Sequence, residues 1–122
     1  MKKSMGLTQQ KVTLKISYQD ILVERDKATF SKPSDSYGEF DHRKNSITIQ
    51  EDLSNLDYSC TLIHEVLHAI AYYYNLTQSG QPLDEENKEE VVINALSNGL
   101  VATFKENPIL LKILVEKLKN VR

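Results

Sequence analysis

The order of patterns in this sequence predicts an α+β domain, with a small antiparallel sheet set against a layer of helices. Two observations carry the prediction. Period-two alternation of apolar and polar residues is confined to residues 12–50, and helical periodicity is confined to the chain from residue 57 onward. A length of 122 residues fits one domain over 1–122.

Val12, Leu14, Ile16 and Tyr18 alternate with polar residues, as in a half-buried strand. Gln19-Asp20 reads as a tight turn, and Ile21-Leu22-Val23-Glu24-Arg25 as the returning strand. Residues 31–38, rich in Ser with a Pro and a Gly, read as loop. Glu39-Phe40-Asp41 and Ser46-Ile47-Thr48-Ile49-Gln50 flank a turn at 42–45 and predict a hairpin with Ile47 and Ile49 on one face. The sheet therefore has three to four strands.

Asp52, Ser54 or Asn55 supplies an N-cap, and Asp57 places charge near the positive end of a helix over residues 57–74. Asn75 or Gly80 ends it. A second helix over 84–106 opens on Asp84, with Glu85, Glu86, Glu89 and Glu90 in its first turns. Its apolar face centres on Val92, Ala95, Leu96 and Gly99. Asn107-Pro108 breaks the pattern, and Ile109, Leu110, Ile113, Leu114 and Leu118 predict a third helix over 109–120.

Composition narrows the function. A net charge of −2, from 15 basic and 17 acidic residues, argues against a nucleic-acid-binding module. The lysines near the ends, Lys2, Lys3, Lys112, Lys117 and Lys119 with Arg122, read as solvated. A single cysteine, Cys60, permits no internal disulfide and suits a reducing compartment. The first residues carry no apolar stretch after their lysines and so do not read as a signal peptide. A cytoplasmic protein with no membrane span is the expectation.

The chemistry concentrates at His64-Glu65-Val66-Leu67-His68. Histidines four apart on a helix share one face, one turn apart, and both imidazoles can reach a single zinc ion. The glutamate between them sits where it can take a proton from water and pass it to a leaving amine. Leu62, Ile63, Val66, Leu67, Ile70, Tyr73 and Tyr74 form the apolar arc of this helix, away from the histidines, with Ile63 and Leu67 flanking the site to keep it dry. The chain holds only three histidines, so chance placement of two in this pattern is a poor explanation.

A catalytic zinc needs a third protein ligand. Ala71 and Tyr74 stand where a metzincin pattern requires glycine and histidine, which leaves a carboxylate from the second helix. Glu89 and Glu90 are the candidates, with Glu86 behind them. The apolar face favours Glu89. Glu90 has Asn94 four residues on, able to hydrogen-bond the second nitrogen of a ligand histidine, and is preferred. Tyr72, His42 and Tyr37 are candidates to donate to an oxyanion, although packing and solvated turns are the commoner roles of such residues. Cys60 reads as a small buried side chain.

Thr61-Leu62-Ile63-His64-Glu65-Val66-Leu67-His68-Ala69-Ile70, with Tyr37-Gly38-Glu39-Phe40-Asp41, Ile47-Thr48-Ile49 and the stretch from Glu89-Glu90 to Asn107-Pro108, resembles small phage- and plasmid-encoded zincin metallopeptidase-like proteins, similar to minimal gluzincins and ImmA/IrrE-type peptidases. The resemblance implies a zincin core. It also implies zinc ligation by His64, His68 and a glutamate near 89–90, with Glu65 as base. The expectation is a zinc-dependent peptidase that takes an extended peptide or protein substrate along an edge strand at 46–50. The alternative is a catalytically silent, zinc-stabilised protein-binding module of phage or prophage origin.

Overall fold

The computed structural model describes residues 11–27 and 37–121. Four strands, β1 (Val12–Ile16), β2 (Gln19–Asp26), β3 (Gly38–Asp41) and β4 (Ser46–Gln50), precede three helices, α1 (Asn55–Tyr73), α2 (Glu86–Glu106) and α3 (Pro108–Leu118). The chain is thus α+β, as predicted. Lys2, Lys3, Arg122 and most of the loop read at 31–38 lie outside the described residues.

The sheet is mixed, not antiparallel. Its strand order is β1-β2-β4-β3. β1–β2 and β3–β4 are antiparallel hairpins, but β2 and β4 run parallel, with Leu22 opposite Ser46 and Asp26 opposite Gln50. Local turns fix each hairpin, while the pairing between the two hairpins has no local signal. Asn45 joins them: with φ +50 it closes the β3–β4 turn, and its carbonyl accepts the Leu22 N–H at 3.0 Å. Its side chain donates to Gln19 and accepts from the Tyr73 hydroxyl of α1. A second correction follows. β4, expected at the edge, is interior, and β3 is the edge strand.

The first turn falls at Ser17-Tyr18, two residues earlier than predicted. Ser17 takes φ +59, the sign that tight hairpin turns require. Tyr18 is therefore solvent-exposed at the tip, not aligned with the core. The second turn lies at 42–45, where Asp41 Oδ1 accepts the Arg43 and Lys44 amides.

Ile16, Ile21, Val23, Ile47, Ile49 and Ala69 form the core between the sheet and α1, with Leu62, Val66 and Tyr73 packed against them. Ser54 is the N-cap of α1, its Oγ accepting the Asp57 N–H at 3.1 Å. Asn75, with φ +67, turns the chain after the last residues of the helix. Ile70 and Tyr74 lie outside the core on exposed positions.

α2 packs on α1 through Ile93, Ser97 and Val101. The face expected inside, Val92, Ala95, Leu96 and Gly99, is exposed instead. Ser97 explains the error: a polar residue sits at the centre of the buried face, so counting apolar residues selects the wrong side. Asp84 does not cap the helix. The cap position is Glu85, without a side-chain bond, and Asp84 accepts the Gly80 N–H. Among the described residues α3 has no buried residue, and it packs on α2.

Candidate metal centre

α1 and α2 meet at their polar faces, and there the predicted residues converge. His64 Nε2 and His68 Nε2 lie 3.1 Å apart. Glu90 brings one oxygen to 3.0 Å from His68 Nε2 and the other to 3.6 Å from His64 Nε2. Atoms bound at about 2.0–2.1 Å to a tetrahedral zinc stand roughly 3.3 Å from one another. One ligand atom each of His64, His68 and Glu90 lies within 4.8 Å of the other two, a donor set that could hold such an ion.

Glu89 takes a different place. Its Oε2 accepts from His68 Nδ1 at 2.6 Å. With the proton on Nδ1, the Nε2 lone pair of His68 turns toward His64 and Glu90. Burial lowers the His64 pKa, and the neighbouring His68 lowers it further, against the opposing pull of Glu90 and Glu89. His64 is thereby held toward the neutral form. Its Nε2 donates to Glu90 when it carries the ring proton; with the proton on Nδ1, two acceptors face one point that a cation between them would relieve. Asn94 lines the cleft, exposed, and the second nitrogen of His68 is already occupied by Glu89.

Glu65 is 6% exposed, turned under β3 instead of outward with the histidines. Desolvation pushes its pKa up to about 7; His68 lowers it, Glu90 and Glu39 raise it, and a backbone hydrogen bond from Phe40 lowers it. A carboxyl poised near neutrality suits general-base work.

β3 comes this close because residue 38 is glycine. A Cβ there would stand 2.6 Å from the Thr61 methyl and 3.3 Å from Glu65 Cγ. Along β3, Tyr37 accepts the Gln50 N–H of the neighbouring chain segment. Alternate residues bond inward in an antiparallel pair, so Gly38 and Phe40 direct their backbone groups to the outer edge, beside Glu65.

The cleft has a volume of about 780 Å³. Its rim carries His42 stacked on Tyr72, ring centroids 4.4 Å apart, with Phe40 edge-on to Tyr72. Tyr37 also lines it, whereas Ile63 and Leu67, expected to dry the site, do not. Cys60 lines the cleft, but burial and the nearby Asp57 raise its pKa, which opposes a nucleophilic role. Glu39, Glu65, Glu86, Glu89 and Glu90 make the lining acidic. Sequence reasoning missed Gly38, the turn of Glu65 toward β3 and the hold of Glu89 on His68. The adjacent glutamate pair was the available signal for the last. Compared with known proteins, the chain matches no family model, no curated protein and no solved structure, so what the site does is argued from its own geometry.

Proposed function

We propose that this chain is a zinc-dependent hydrolase of peptide bonds, with the metal held by His64, His68 and Glu90. The observation that carries the reading is the convergence of His64, His68 and Glu90, one ligand atom of each within 4.8 Å of the others, beside a buried Glu65. Zinc held there would supply Lewis acidity toward a water and a substrate carbonyl. Glu65 accepts the proton of the attacking water and returns it to the leaving amine. Glu89 keeps the proton of His68 on Nδ1. The outer edge of β3, not β4, receives an extended peptide by main-chain pairing. Tyr72, oriented by the stacked His42, is placed at the rim to donate to the developing oxyanion. The acidic lining favours substrates with neutral or basic side chains.

The test is a digest of unstructured peptides by zinc-loaded protein, read by mass spectrometry, with Glu65→Gln beside it. The variant should keep one zinc per chain and lose cleavage by at least ~100-fold. Cleavage at an undiminished rate by Glu65→Gln would remove Glu65 from the mechanism. The exposed apolar residues of α3 favour a second reading, a zinc-stabilised binding module without turnover. Under it, no peptide is cut by any zinc-loaded form.

A further inference from the structure

α2 is apolar on two sides. Ile93, Ser97 and Val101 face α1, while Val92, Ala95, Leu96 and Gly99, at spacings of three and four, form a second stripe that meets solvent. A helix with two such stripes is one that is covered twice. Gly99 adds an independent sign. A Cβ there would meet nothing within 4 Å, so no contact among the described residues calls for glycine. Glycine in a helix interior costs about 1 kcal/mol relative to alanine. Beside Ala95 it leaves a shallow place where another helix can approach closely.

α3 carries a second exposed apolar surface. Ile109, Leu111, Ile113, Leu114, Val115 and Leu118 are each at least 41% exposed. An isolated helix of 11 residues is marginal in water, and among the described residues this one has no fully buried side chain. Its apolar residues occupy more than half of the circumference. Ile109 and Ile113 lie on one side of Lys117, and Leu111, Leu114 and Leu118 on the other. A flat lipid surface covers one side of a helix only, so this distribution fits a partner built of helices.

We infer that two copies of this chain associate through the outward stripe of α2 and the apolar surface of α3. The area supports a second copy as occupant. The exposed aliphatic side chains of the two helices together are of the order of the ~800 Å² per partner in a standard stable interface, and above the few hundred Å² expected of a lone monomer. A two-fold pairing would lay the α3 of each copy against the α2 stripe of the other, so that one surface serves both sides. Glu90 lies on the opposite side of α2, facing His64 and His68 of α1, and Glu89 stands at the border between the two faces.

The experiment is sedimentation equilibrium of the zinc-loaded full chain over a range of concentrations. The expected mass is twice the 14.0 kDa of the chain. Leu96→Glu and Leu118→Glu, made separately, should each weaken the dimer by about thirtyfold or more. Retained zinc stoichiometry and unchanged helix content in both variants would show that the fold is intact. A wild type that stays monomeric at 100 µM overturns the inference, as does a dimer indifferent to both folded variants. So would binding of monomeric wild type to phosphatidylserine vesicles, which would make a membrane the occupant. If a variant fails to fold, Gly99→Leu, which fills the open space on the stripe, gives the same test from the α2 side.

Discussion

The two sides of α1 are held by different physics. Toward the sheet, α1 rests on Ile21, Ile47 and Ile49, each fully buried. Toward α2, it meets Ile93, Ser97 and Val101, and next to them a cluster of two histidines and two glutamates. The first contact is sealed by apolar area and needs no cofactor. The second is short of apolar area and crowded with lone pairs, so its strength depends on what sits among them. The difference teaches that the contact of the sheet with α1 is sealed by apolar area alone, whereas under the proposed metal site the docking of α2 would depend on a cation.

Metal removal should break the comparison most visibly. Loading at a thousandfold excess over Kd stabilises a protein by about 4 kcal/mol. Chelation should then lower Tm by roughly 15 °C. Hydrogen exchange should quicken in α2 while β2 and β4 stay protected; uniform loss of protection would show that both sides open together. Ile47→Ala attacks the other side and should cost about 3 kcal/mol, the same with and without zinc, by urea unfolding.

The metal-free protein offers a pH test. Burial pushes the Glu65 carboxyl up to about 7, from an ordinary value of 4.5, so the folded state holds its proton more tightly. That stability is complete below about 4.5 and disappears as pH rises through 7. Glu65→Gln has no such loss. Between pH 5 and pH 8 it should gain on the wild type, by up to about 3 kcal/mol at ~1.4 kcal/mol per pKa unit. Parallel stability curves for the two proteins would refute the burial argument. Last, Glu89→Gln should weaken zinc binding by roughly 10–100-fold, while Glu90→Gln weakens it more. Equal losses in a chelator competition would erase the distinction between orienting group and ligand.

Much of the α1 side was legible because its signals are local. His64, Glu65 and His68 carry their geometry in their spacing, and the turn at 42–45 announces the β3–β4 hairpin. The α2 side was not legible to the same degree. Neighbouring residues on a helix project about 100° apart. Which of Glu89 and Glu90 meets the histidine nitrogens therefore depends on how α2 is rotated about its axis. Ser97 hides that rotation, and the exposed stripe of Val92 and Leu96 points to the opposite one. The parallel pairing of β2 with β4 was hidden for a related reason. It joins segments separated by a whole hairpin strand and its connection, and strand periodicity says which face is buried, not which neighbour is paired.

That parallel seam has a consequence in time. Each hairpin closes over a short stretch of chain, an event of about 1–10 μs. Pairing β2 with β4 must first bring together the two ends of the segment from residue 27 to residue 45, and the entropy of that closure is lost before any ladder bond compensates for it. Asn45 stands at the start of the ladder, where its carbonyl takes the Leu22 amide and its side chain meets Gln19 and Tyr73. The expected nucleus of folding is therefore the meeting of the two hairpins at this residue, with α1 laid across it, and not either hairpin alone.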